Sequence, residues 1–151
     1  MQGYLVRPRS VDRVYIAGSD ASIVKTPSQF LLDMNLQSVS GQLNKVGIET
    51  DWHDLGEIYN YNLKALLESD LCIAVLKSSL TDIADICVEI GLAYANSIPI
   101  LAFCTSPELR ASPMVIGMCG GDEQIAYSIE ELRESVEEHI DLVDAALQAS
   151  N

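Results

Sequence analysis

Basic residues are scarce in this chain of 151 residues: 9 Lys and Arg stand against 22 Asp and Glu, for a net charge of −13. A groove that follows nucleic-acid phosphates needs a basic patch, so polymeric DNA and RNA are excluded as partners. Long apolar runs are also missing. None approaches the ~18 residues that span a bilayer, so no membrane partner is expected. With only two histidines, His53 and His139, far apart, and no C-x-x-C pair among Cys72, Cys87, Cys104 and Cys119, no metal site of the usual spacing is indicated. No cofactor is expected either. Residues 1–10 carry no apolar stretch of secretory length, and cytoplasm is the expected location. Walker and dinucleotide glycine fingerprints are absent as well.

What remains is one acidic globular domain, since 48% hydrophobic residues suffice for a core and the length suits a single folding unit. Residues 1–11 are expected as an N-terminal extension and 12–148 as the domain. Val14-Tyr15-Ile16-Ala17 reads as a first strand closed by Gly18-Ser19-Asp20. A helix is expected to open at Thr26-Pro27-Ser28 and to follow its apolar stripe from Phe30 to Val46, with a second strand over 48–52. Residues 58–67 read as a helix. The continuous apolar run 71–76 suits a strand buried on both faces. Thr81 is placed to cap a helix over 82–96, and 98–103 forms the next buried strand. A weak strand over 124–127 and a capping box at Ser128-Ile129-Glu130-Glu131, opening a helix to about Gln148, complete the chain. Alternating strands and helices imply an α/β, flavodoxin-like, doubly wound domain with a five-stranded parallel sheet in the order 2-1-3-4-5.

Sheets of this kind bind ligands at the carboxyl ends of their strands. Asp82, Asp85 and Glu89 recur at three and four residues and share one helical face. For Asp82 and Asp85, complementing the dipole of a first helical turn is a sufficient account. Glu89 differs, because every neighbour from Ile86 to Ala95 is apolar or small. A desolvated carboxylate at a cleft is a candidate nucleophile or general acid/base. On residue type alone Asp70 reads as a turn aspartate and Tyr15 as core.

Four segments in order resemble the nucleoside 2-deoxyribosyltransferase family, including its branch of 2′-deoxynucleoside 5′-monophosphate N-glycosidases. They are the tyrosine strand with its turn at Gly18 and Ser19, the junction from Leu66 through Asp70 to Leu76, the helix Glu89-Ile90-Gly91-Leu92-Ala93 with the strand after it, and Ser112-Pro113-Met114-Val115. The resemblance implies Glu89 as a nucleophile attacking C1′ of the sugar, Tyr15 orienting it and Asp70 assisting the departing base. It also implies a substrate site including Gly18, Ser19, Asp82 and Asp85, with Ser112 and Met114 supplied by another subunit of a homodimer or larger homo-oligomer. The logic parallels retaining glycoside hydrolysis.

Two positions depart from the family pattern. Ile83 stands where an aspartate is usual six residues before the glutamate, leaving Asp82 or Asp85 to substitute, and Asn62 stands where one is usual eight residues before Asp70. The expected function is cleavage of the N-glycosidic bond of a 2′-deoxynucleoside through a covalent glycosyl-glutamate, with transfer to another base. The alternatives are hydrolysis of 2′-deoxynucleoside 5′-monophosphates or another ribosyl nucleotide, and a non-catalytic nucleotide-binding module.

Overall fold

A computed structural model describes residues 10–18, 21–40, 52–76, 80–104 and 113–150. Among the described residues five strands and five α-helices alternate: β1 (Arg13–Ala17), α1 (Ala21–Asp33), β2 (Gln37–Ser40), α2 (Trp52–Leu67), β3 (Leu71–Leu76), α3 (Leu80–Ala95), β4 (Ile100–Cys104), α4 (Pro113–Met118), β5 (Ile125–Ala126) and α5 (Ile129–Ala149). All pairings are parallel, in the order β2-β1-β3-β4-β5. The expected flavodoxin-like sheet is therefore present. No helix among the described residues is long and apolar enough to cross a membrane.

Strand alternation divides the core between the two faces of the sheet. Val14 and Ile16 of β1, Leu71, Ile73 and Val75 of β3, and Leu101 and Phe103 of β4 pack with Phe30 and Leu31 of α1 and Leu132 and Val136 of α5. Tyr15, Ala17 and Cys72 turn the other way, against Ala65 and Leu66 of α2 and Ala93 of α3. Further along that face, Ala74, Ala102 and Cys104 meet Ile86 and Ile90 of α3, Cys119 and the inner side of α4. All six residues of β3 are buried, as its continuous apolar run requires.

The first helix and second strand differ from the sequence reading. α1 begins at Ala21, so Pro27 lies inside it, and it stops at Asp33 rather than running to Val46. Asn35 adopts φ +59°, a left-handed conformation that asparagine tolerates. The Gln37 N–H then donates to the Asp12 carbonyl at 2.9 Å, which sends the chain along β1 as β2. The strand expected over 48–52 falls mostly on residues outside those described, and Trp52 opens α2. α3 begins at Leu80, so Thr81 is inside the helix instead of capping it. Residues 113–118 form a short helix to which the sequence reading assigned no element.

The last helix follows the sequence closely. Ser128 Oγ accepts the Glu131 N–H at 3.1 Å, and Glu131 Oε2 accepts the Tyr127 N–H at 2.8 Å, a capping-box arrangement that satisfies helix-start donors from both sides.

Candidate active site

β1 and β3 are neighbours in the sheet while α1 and α3, which follow them, cover opposite faces, so the chain reverses its winding here. Tyr15 sits centrally in β1, opposite Cys72, and projects under the groove between α2 and α3. Its ring is fully buried, and its Oη donates to Glu89 Oε1 at 2.7 Å. Ile86, Ile90 and Ala93 hold α3 to the sheet, which turns Asp85, Val88, Glu89 and Leu92 toward α2.

These four side chains and Ile58, Tyr59, Asn62, Leu63 and Leu66 of α2 line a cavity of about 210 Å³. Its walls are mostly apolar with a few convergent polar groups, the make-up of a small-molecule site. The helical periods place these residues together. Ile58, Asn62 and Leu66 recur every four residues on α2, as Asp85, Glu89 and, three further, Leu92 do on α3.

Desolvation pushes the Glu89 carboxyl up to about 7; the hydrogen bond from Tyr15 opposes that shift and the charge of Asp85 adds to it. Burial, together with the nearby Glu89 charge, pushes the Tyr15 hydroxyl far above its ordinary value, so it stays a protonated donor. The Cys72 thiol beneath is raised by the same two causes and stays protonated as well. The arrangement is a carboxylate of tunable charge, held by a fixed donor, facing an apolar chamber. It can attack an electrophilic carbon or exchange a proton.

The expected site residues are only partly brought together. Tyr15, Asp85 and Glu89 converge. Gly18 follows β1, half-buried, outside the cavity wall. Met114 on α4 is 69% exposed. Ser19, Ser112 and the side chain of Asp82 lie outside what the structure describes.

Asp70 lies apart from Tyr15, Asp85 and Glu89. It precedes β3 at the amino-terminal edge of the sheet, where its Oδ2 accepts the N–H groups of Asp12 and Arg13, each at 3.1 Å, while its own N–H donates to the Arg13 carbonyl at 2.8 Å. Its carboxylate ties the entry of β1 to β3 and is absent from the cavity. Its hydrogen bonds are those of an aspartate at a strand entry. Of the wall residues that sequence reasoning left out of the site, Asn62 and Tyr59 are the polar ones. The available signal was a polar amide on the otherwise apolar stripe of Ile58, Leu63 and Leu66.

No protein-family model matches the sequence, and no curated protein does. Solved structures do match. The 2-deoxyribosyltransferase of Bacillus psychrosaccharolyticus superposes with a TM-score of 0.68 over 80% of this chain and 90% of its own, at 14% identity. The fold is that of a 2-deoxyribosyltransferase. A conserved protein from Enterococcus faecalis V583 matches with a TM-score of 0.66 at 20% identity, over 85% of this chain and 99% of its own. A CMP N-glycosidase from Clostridium botulinum matches with a TM-score of 0.54 at 17% identity, over 86% and 99%. The architecture shared with the 2-deoxyribosyltransferase thus spans most of both chains.

Proposed function

We propose that this protein cleaves the N-glycosidic bond of 2′-deoxynucleosides through a covalent intermediate on Glu89 and transfers the sugar to a second base. The observation that carries this reading is the 2.7 Å hydrogen bond from Tyr15 to Glu89 Oε1 at an apolar cavity. A carboxylate so held presents its other oxygen, Oε2, to a bound sugar. Ionised Glu89 attacks C1′, the C1′–N bond breaks with its electron pair passing to the base, and an ester joins the sugar to the enzyme. A second base attacks C1′ from the vacated side and releases the carboxylate. The apolar walls limit water at this stage, which favours transfer over hydrolysis.

The resemblance and the shared fold support the remaining roles. Gly18, Ser19 and Asp82 contribute to the substrate site, and Ser112 and Met114 reach it from a second subunit. The exposure of Met114 in the single chain is consistent with such an interface. The second reading is hydrolysis of a nucleoside 5′-monophosphate, favoured by the fold shared with a CMP N-glycosidase and by Ser112, a hydroxyl donor suited to phosphate.

One experiment tests both. The purified chain is incubated with 2′-deoxynucleosides plus a free acceptor base, and separately with nucleoside monophosphates, and the bases are followed by chromatography. Base exchange that disappears in Glu89→Ala supports transfer, and release from monophosphates alone supports the second reading. Turnover no higher than that of Glu89→Ala overturns both.

A further inference from the structure

The cavity sets two acids and an aromatic rim in an otherwise apolar wall. Asp85 and Glu89 line it from α3, and Tyr59 and Asn62 line it from α2. No lysine, arginine or histidine is among its described wall residues. Like charges in one apolar chamber repel, and the charge of Asp85 adds to the desolvation that already opposes charge on Glu89. A cation in the chamber relieves both costs. The ring of Tyr59, 59% exposed at the rim, adds a π face that attracts such a cation.

We infer that this cavity selects N-glycosides whose base already carries a positive charge, such as 2′-deoxynucleosides of pyridinium or N-alkylated bases. The inference rests on the functional reading above and deepens it by naming the substrate class.

The chemistry of the step points the same way. When ionised Glu89 attacks C1′ of a neutral nucleoside, its negative charge passes to the departing base, so the apolar chamber still holds an anion beside Asp85. Burial keeps Tyr15 and Cys72, which pack against Glu89, in their protonated forms, and the amide of Asn62 does not ionise. With a cationic base the charges cancel instead. The Glu89 oxygen bonds C1′, the C1′–N pair passes to the positive ring nitrogen, and a neutral base leaves a neutral ester. No proton moves, and no charge is left to bury. In the second half the neutral aromatic nitrogen of an acceptor attacks C1′ and becomes positive, while the ester oxygen departs with its pair as the Glu89 carboxylate.

Two measurements test this. 1-Methylnicotinamide and 3-methylbenzamide share one shape, with a methyl group in place of C1′, but only the first is a cation. Their dissociation constants are measured by NMR titration of the full-length wild type, Asp85→Asn and Glu89→Gln, with melting curves to verify folding. The wild type is expected to bind the cation roughly tenfold or more tightly than its neutral twin, and each substitution to shrink that ratio. Equal affinities, no saturable binding of either probe, or a preference that survives both substitutions overturns the inference. The second measurement follows exchange of labelled nicotinamide into its 2′-deoxyriboside and of labelled adenine into 2′-deoxyadenosine. Faster exchange on the cationic glycoside is expected. Exchange confined to 2′-deoxyadenosine overturns the inference and leaves the functional reading standing. Preference for the cation with no exchange on either glycoside overturns the functional reading and leaves the charge selection of the cavity standing.

Discussion

Tyr15 and Glu89, 74 positions apart in sequence, meet through a 2.7 Å hydrogen bond in which the buried phenol donates to Glu89 Oε1. The bond does two things at once. It fixes which carboxylate oxygen faces the cavity, and it partly offsets the desolvation that holds Glu89 near 7.

Tyr15→Phe separates those effects from packing, since the ring stays. Without the donor, Glu89 moves further up, fewer molecules are ionised at pH 7, and the acid limb of the pH–rate profile shifts to higher pH. A hydrogen bond to a charged group contributes about 1.5–3 kcal/mol, so base release at pH 7 should fall roughly 10- to 100-fold. Part of that loss should be recovered at pH 9. A rate profile with an unmoved acid limb would show that the phenol does not tune the glutamate.

Stability should carry the same signature with a worked sign. The folded Glu89 keeps its proton up to about 7, while the unfolded group releases its proton near 4.5. Between these values the folded state binds more protons, so the contribution of Glu89 to stability falls as pH rises through that window. Glu89→Gln removes the titration. Urea unfolding should find the variant gaining on the wild type by on the order of 2–3 kcal/mol between pH 4.5 and pH 8. A constant difference across that range contradicts the shifted carboxyl.

Asp70→Ala should act on folding alone. Two backbone N–H groups at the entry of β1 lose their acceptor, at about 1–3 kcal/mol for the pair. Differential scanning calorimetry should register a melting temperature lower by roughly 3–10 °C. Turnover per folded molecule should remain that of the wild type; a collapse in turnover with an unchanged melt would return Asp70 to the chemistry.

If Ser112 and Met114 reach the site of a neighbouring subunit, two inactive variants should complement each other. Glu89→Ala and Ser112→Ala, unfolded and refolded together, are expected to recover activity that neither shows alone. Recovery absent from verified mixed oligomers would confine the site to one chain.

Much of this was legible in the sequence, for identifiable reasons. β3 announced itself by six consecutive apolar residues, α5 by its capping box, and Glu89 by being an acid among apolar neighbours. The end of α1 was hidden because Leu36 and Val39 continue a helical stripe as readily as they enter a strand. What stops the helix is a left-handed Asn35 combined with the Gln37 bond to Asp12, a tertiary contact outside any local window. The task of Asp70 depends likewise on β1 pairing with β3, and the place of Asn62 in the cavity wall on the apposition of α2 and α3. Such residues are assigned by partners, not by their own surroundings.

The position of β1 inside the sheet, between β2 and β3, also sets the timing of the site's assembly. β1 is the first strand to be synthesised, yet both its neighbours come later. At translation rates of about 5–20 residues per second, Tyr15 leaves the ribosome roughly 4–15 s before Glu89. A short apolar strand therefore waits in the nascent chain with neither edge paired, and the tyrosine it carries has no carboxylate to bind until α3 has emerged and docked. Productive synthesis of this protein should thus be most sensitive to chaperone supply during the stretch between its first and third strands.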